Sequence, residues 1–132
     1  MKKNILILLV LVAMAFYCSG CQQKEPQEFT QKQGGITATF TMKPASPGMM
    51  EPVRLSLSLT DASGQAIESA QVAYDLTMPG MSMPPNRPQA SNEGNGLYVA
   101  ETTFTMSGDW RAEATVTNNA ETTTFTFDFL IK

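Results

Sequence analysis

The feature that most limits the fold of this chain is a period of two in its side chains, which runs from residue 36 almost to the last residue. In residues 53–60, for example, valine or leucine occupies every second position and polar side chains stand between them. Such alternation is typical of β-strands that bury one face and expose the other. Fifteen threonines after residue 20 favour strands as well, because a β-branched side chain packs well on a pleated surface. We therefore predict strands at 36–43, 53–60, 70–78, 97–104, 109–117 and 121–131, with a short one near 87–92.

Turn-forming residues separate these strands. Gly, Asn, Asp and Ser concentrate at 61–64, 94–96, 107–109 and 118–119, where the chain is expected to reverse. About seven short strands in roughly 100 residues predict an all-β fold, an immunoglobulin-like antiparallel β-sandwich that spans residues 36–132. Trp110 lies in an alternating strand, so we expect it in the core of the sandwich.

The N-terminus has the features of an export signal. Lys2 and Lys3 precede an uninterrupted apolar run of 13 residues, 5–17. This run is shorter than the roughly 20 apolar residues that cross a bilayer as a helix, and it has the length of a signal-peptide core.

The residues after this run indicate a particular kind of signal. Ser19 and Gly20 precede Cys21, and small residues ahead of a cysteine resemble the bacterial lipoprotein signal, whose cysteine carries lipid after cleavage. Cys18 departs from that pattern, which usually has Leu at this position. We predict that residues 1–20 are removed and that acyl chains on Cys21 anchor the protein, outside the cytoplasm, to the cell membrane or the outer membrane. An ordinary cleaved signal and an uncleaved anchor are the alternatives.

The chain that remains after this cleavage is acidic and has one cysteine. It carries seven basic and twelve acidic side chains, a formal net charge of −5, which makes nucleic acid an unsuitable partner. With Cys21 as its only cysteine, it cannot form an internal disulfide. Residues 21–35 are polar and contain Pro26 and a glycine pair, so we predict a flexible tether from the lipid to the folded domain.

The sequence gives little reason to expect an enzyme. The chain contains no histidine, which excludes Ser-His-Asp and Cys-His nucleophile pairs as well as histidine-rich zinc sites. The carboxylates are scattered over strands and turns without a paired spacing, and there is no P-loop or dinucleotide-binding glycine motif. Asp61 and Asp109 are expected to act as turn residues. We therefore predict a binding module.

One stretch is unusual for a loop between strands. Residues 78–86 read MPGMSMPPN and place three thioethers, those of Met78, Met81 and Met83, within six residues. Thioether sulfur is a soft ligand that selects Cu(I) over hard divalent ions. The alternative is that these methionines fill gaps where the loop packs on the sandwich. Met49 and Met50 form a second, weaker candidate.

Strand order predicts where these methionines lie. Because each antiparallel strand reverses the chain, successive loops alternate between the two ends of the sandwich. The first, third and fifth loops, 44–52, 79–86 and 105–108, should then share one end, and the last of them carries Met106. We therefore predict that all seven methionines after residue 20 meet at one end.

Three motifs in order carry a family resemblance. They are DLTMPGMSMPPN at 75–86, GLY at 96–98 and FTMSGDW at 104–110. Together they resemble the YtkA-like (FixH-like) domain family over about residues 36–131. The resemblance implies an extracytoplasmic immunoglobulin-like sandwich, often in lipoproteins, with an association with copper handling and respiratory oxidase assembly.

The family's Met-Pro-x-Met core falls on Met78, Pro79 and Met81. Many members carry a histidine soon after this core, where this chain has Ser82 and Met83. That departure leaves Cu(I) rather than Cu(II) as the metal that the resemblance implies. Two hypotheses follow: a Cu(I)-binding or copper-delivery module, or a metal-free domain that contacts a membrane partner such as an oxidase subunit or an efflux component.

Overall fold

A computed structural model describes residues 26–132, and this part of the chain consists of strands, turns and loops. It contains eight strands. They are β1 (Glu28–Gln33), β2 (Ile36–Lys43), β3 (Pro52–Thr60), β4 (Gln71–Thr77), β5 (Ser91–Asn92), β6 (Leu97–Thr103), β7 (Gly108–Asn118) and β8 (Glu121–Ile131). Within residues 26–132 there is no helix long and apolar enough to cross a membrane.

The strands form two antiparallel sheets. One sheet has five strands in the order β1-β2-β3-β6-β5, and the other has three in the order β4-β7-β8. The predicted all-β sandwich is therefore confirmed. Six of the predicted strands agree with the structure to within one residue at each end, because strict alternation fixes both the register and the buried face of a strand.

The core lies between the inner faces of the two sheets. The ring of Phe40, on β2, stacks on that of Phe127, on β8, with 4.8 Å between centroids. Trp110 is 1% exposed and meets the edge of Phe104 at 4.8 Å. The prediction that Trp110 belongs to the core is confirmed, and its indole nitrogen is satisfied by donating to the carbonyl of Met106 at 3.1 Å.

The predicted tether of residues 21–35 is wrong in its second half, because β1 pairs with β2 along its whole length. Gly34 and Gly35 have φ of 59° and 74°, which are the values of the two central residues in a tight hairpin turn rather than of a loose linker. Sequence reasoning missed this strand because an edge strand is held by backbone hydrogen bonds and needs little apolar surface. Within β1, only Phe29 is partly buried, and its ring packs against the core. Residues 21–25 lie outside the described residues.

The short strand predicted near 87–92 is also different in detail. Residues 86–90 run along the free edge of β4, where the amides of Tyr74 and Leu76 donate to the carbonyls of Pro88 and Asn86. The chain then changes sheets, and β5 pairs with β6 through Ser91. Pro88 is tolerated because it serves only as an acceptor on this edge.

Candidate functional site

The loops that carry the methionines meet at one end of the sandwich. Residues 44–51 join β2 to β3, residues 78–90 join β4 to β5, and residues 104–107 join β6 to β7. The first and last of these loops touch, since the amide of Met50 donates to the carbonyl of Phe104 at 2.8 Å. The predicted gathering is confirmed, and we refer to this region as the methionine end. Its methionines are Met42, Met49, Met50, Met78, Met81, Met83 and Met106.

Two of these methionines belong to the hydrophobic core. Met42 is 1% exposed and Met78 is 9% exposed. The methyl group of Met78 is held closely against β7, because a Cβ added at Gly108 would lie only 2.9 Å from it. For Met78, the packing role is therefore what the structure shows, and the three sulfurs of the 78–83 stretch are not presented together on the surface.

A tight turn separates Met78 from Met81. The amide of Met81 donates to the carbonyl of Met78 at 3.1 Å, and Gly80 between them has a φ of 80°. Proline at the second position and a positive φ at the third are the marks of a type II turn. Because the turn reverses the chain, Met78 is directed into the core while Met81 remains 52% exposed.

The structure brings a different pair of methionines together. Met83 and Met106 both line one pocket of about 420 Å³, and both are partly buried against the core. Trp110 forms part of its wall, and Asn86 is fixed there by a hydrogen bond from the hydroxyl of Thr102 at 3.2 Å. The pocket therefore offers two thioethers, an aromatic wall and an anchored amide.

Sequence reasoning placed Met106 at this end but did not identify its partnership with Met83. The two residues are on different loops, and no spacing rule relates them. The contribution of Asn86 and Thr102 was also missed. Their only signal in the sequence is that Asn86 follows two prolines, which is typical of a constrained loop.

A second groove, of about 360 Å³, is also lined by Trp110. Pro79 and Leu130 contribute to its lining. So do Arg111 and Asp128, which form an ion pair in which Arg111 donates to the two carboxylate oxygens of Asp128 at 2.7 and 3.1 Å. The hydrogen bond from Arg111 lowers the pKa of Asp128, and the same contact raises the pKa of Arg111. Both groups are exposed to solvent, so this pair contributes little to stability.

The remaining methionines of this end face solvent. Met49 is 53% exposed and Met50 is 68% exposed, similar to Met81. Residues 26–132 hold no cluster of three or more His, Cys, Asp or Glu side chains that could bind a metal ion, so thioethers are the soft donors that this part of the chain offers. Cys21, the predicted lipid attachment, lies outside the described residues.

Comparisons with known proteins agree with this architecture. A family model described as YtkA-like matches residues 30–115. Among solved structures, a DUF4426 family protein from Pseudomonas aeruginosa PAO1 is similar with a TM-score of 0.56, covering 79% of this chain and 94% of its own, at 11% sequence identity. Identity this low shows a shared fold alone. A search of the curated proteins finds no match.

Proposed function

Because the chain belongs to the YtkA-like family, we propose that it is an extracytoplasmic lipoprotein whose methionine end binds Cu(I). The observation that carries the proposal is the pocket shared by Met83 and Met106. Two thioethers from separate loops line one partly buried space there, and neither is required to fill the centre of the core.

The donor set fits Cu(I) better than other metals. Thioether sulfur is soft and uncharged, so it binds a soft monovalent ion well and hard divalent ions poorly. The chain has no histidine, which removes the imidazole ligands that Cu(II) and Zn²⁺ favour. Met83 and Met106 would hold the ion, and Met81, two residues along the same loop, is an available third ligand.

The residues around Met83 and Met106 also support a binding site. Trp110 and the prolines at 84 and 85 wall the pocket, which restricts the rotamers of the two methionines and keeps bulk water from one side. Met78 packs in the core and positions the turn that carries Met81. A site of neutral thioethers near the surface suits an ion that is delivered onward rather than stored.

The test is an anaerobic Cu(I) competition titration of the detergent-solubilised full chain. We expect the wild-type protein to take Cu(I) from a chelator and the Met83→Leu/Met106→Leu double variant to bind at least about tenfold more weakly, a loss of about 1.4 kcal/mol. Leucine preserves apolar volume at these positions but removes the sulfur. Met42→Leu is the matched control, since it removes a buried sulfur at the same end. Failure of the wild-type chain to compete would overturn the proposal.

The alternative is a metal-free domain that contacts a membrane partner, such as an oxidase subunit or an efflux component. The observation in its favour is the groove beside Trp110, where Leu130 is 54% exposed. Methionine-rich surfaces adapt to protein partners as well as to metals. This alternative predicts no Cu(I) competition by the wild-type chain, so the same titration separates the two functions.

A further inference from the structure

The chain enters the folded domain at the methionine end. The first residue of β1, Glu28, pairs with Thr41, which lies two residues before the last residue of β2. The loop that follows β2 carries Met49 and Met50. The segment that connects the domain to Cys21 therefore leaves from the same end as the exposed methionines.

The connection between the domain and Cys21 is short, because β1 already belongs to the folded domain. With β1 beginning at Glu28, the connection from Cys21 spans seven residue steps. At no more than about 3.6 Å for each residue, it reaches about 25 Å at most. The longest strands, β7 and β8, each have 11 residues and span about 36 Å at 3.3 Å for each residue. The methionine end is therefore kept near the attachment point of Cys21, and the opposite end can stand well away from it.

Exposed apolar side chains are concentrated at this same end. Within residues 26–132, four large hydrophobic side chains are exposed, and three of them are Met49, Met50 and Met81. The fourth is Leu130, which lies one residue before the end of β8 and pairs with Asp109 at the start of β7, so it too is near this end. Exposed apolar residues scattered singly need no explanation, but a group confined to one end is typical of an interaction surface.

We propose that the methionine end faces the lipid bilayer, with Met49, Met50 and Met81 entering its interfacial layer. This inference rests on the lipid at Cys21 in the proposed function. The length of the connection and its point of departure favour the bilayer as the occupant, because a lipidated chain always has that surface within about 25 Å of this end. Unbranched thioether side chains adapt readily to such an irregular apolar layer.

Charge defines which lipids this surface should accept. Within residues 26–132, this end carries Lys43 and Lys132 together with Glu28, Glu51 and Asp109, so basic and acidic side chains are mixed there without a basic cluster. Attraction to anionic headgroups requires such a cluster. The contact therefore depends on apolar insertion together with the acyl anchor, and it forms on zwitterionic lipid as well as on anionic lipid.

The experiment uses the full chain, processed and lipidated in the host and reconstituted into phosphatidylcholine vesicles without copper. A single thiol is introduced by Met50→Cys and labelled with a polarity-sensitive fluorophore. The matched control is Ala62→Cys, at a position that is also exposed but lies in the turn after β3 at the opposite end. Spin-labelled lipids then report by quenching how close each fluorophore is to the bilayer, and the intact mass reports the acylation of Cys21.

We expect blue-shifted emission at position 50 and quenching there at least about twofold stronger than at position 62. Equal, water-like emission at both positions on an acylated chain overturns the inference alone and points to a protein partner for this end. An unacylated Cys21 overturns the lipid anchor and this inference together. Since copper is absent, neither result depends on the metal site.

Discussion

The two ends of the sandwich are built in different ways. At the end opposite the methionines, three of the four connections are tight turns of two to four residues, and the fourth, residues 61–70, begins with a hydrogen-bonded turn. Asp61, for example, accepts hydrogen bonds from the amide and hydroxyl of Ser63 at 2.9 and 2.7 Å and from the amide of Gln65 at 3.0 Å. The methionine end instead has the longest connection, residues 78–90, and carries the exposed thioethers of Met49, Met50 and Met81. Grooves occur at both ends, since one of about 370 Å³ lies between the β1–β2 turn and residues 61–62. This difference indicates that the thioethers, rather than the presence of a groove, distinguish the methionine end as the candidate binding surface.

The substitution with the largest expected effect is Trp110→Ala, because Trp110 belongs to the core and also lines both pockets of the methionine end. Truncating a buried tryptophan costs about 3–5 kcal/mol, out of a total of about 5–15 kcal/mol for a typical domain. We expect the variant to be marginally folded in a urea titration. Leu130→Ala, at an exposed neighbour of the same groove, is the control. A midpoint near that of the wild type would contradict the buried position of Trp110.

The methionine end contains both buried and exposed methionines. Comparing the stability of Met42→Ala with that of Met50→Ala tests this difference in burial. Emptying the fully buried site of Met42 should cost about 2–5 kcal/mol. The same truncation at Met50, which is 68% exposed, should change stability by less than about 0.5 kcal/mol. Thermal melts of the two variants give the comparison. Equal losses would mean that the loop carrying Met50 packs more tightly than the structure shows.

At the opposite end, replacing each of two glycines by alanine distinguishes the cost of a positive φ from the cost of a steric clash. Both Gly96 and Gly64 have positive φ, 72° and 82°, but a Cβ at Gly96 would lie 2.5 Å from the carbonyl oxygen of Leu59, whereas a Cβ at Gly64 meets nothing within 4 Å. We expect Gly64→Ala to cost about 1 kcal/mol and Gly96→Ala to cost about 2–3 kcal/mol. Equal unfolding midpoints would show that the backbone near Gly96 can move aside.

The smallest expected effect is a pH dependence at Asp61. Hydrogen bonds, first from the Ser63 hydroxyl and then from the Gln65 amide, lower its pKa from the ordinary value of 3.8. A carboxyl whose pKa is lower in the folded state stabilises the fold above pH 3.8, and this contribution is lost as the pH falls through the lowered pKa. Asp61→Asn keeps an acceptor but cannot titrate, so its stability should fall less between pH 5 and pH 2. Parallel curves for the two proteins would contradict this assignment.

Most of the fold follows from the sequence because alternation is a local signal. Where each second residue is apolar, as in β3 and β8, the strand and its buried face are determined together. The strand β1 was not predicted, because it is held mainly by backbone hydrogen bonds to β2 and has a single partly buried ring, that of Phe29. Its glycine pair is equally compatible with a linker and a turn, and only the pairing with β2 distinguishes them.

The candidate site was less accessible from the sequence. Counting strands was enough to place all the methionines at one end, because parity depends only on the order of elements. The depth of each methionine depends on how the loops pack. The turn at Met78–Met81 directs one sulfur inward and the other outward, and two loops far apart in sequence bring Met83 and Met106 to one pocket. Neither outcome can be read from the spacing of the motif.

The most direct test of the central claim is an NMR titration of the full chain with ¹³C-methyl-labelled methionine and Cu(I) under anaerobic conditions. Resonances are assigned by single Met→Leu variants. We expect the methyl signals of Met83 and Met106 to shift together up to one equivalent, while that of Met42, buried in the core, stays in place. Shifts confined to exposed Met49 and Met50, or the absence of any shift, would contradict a Cu(I) site in the pocket of the methionine end.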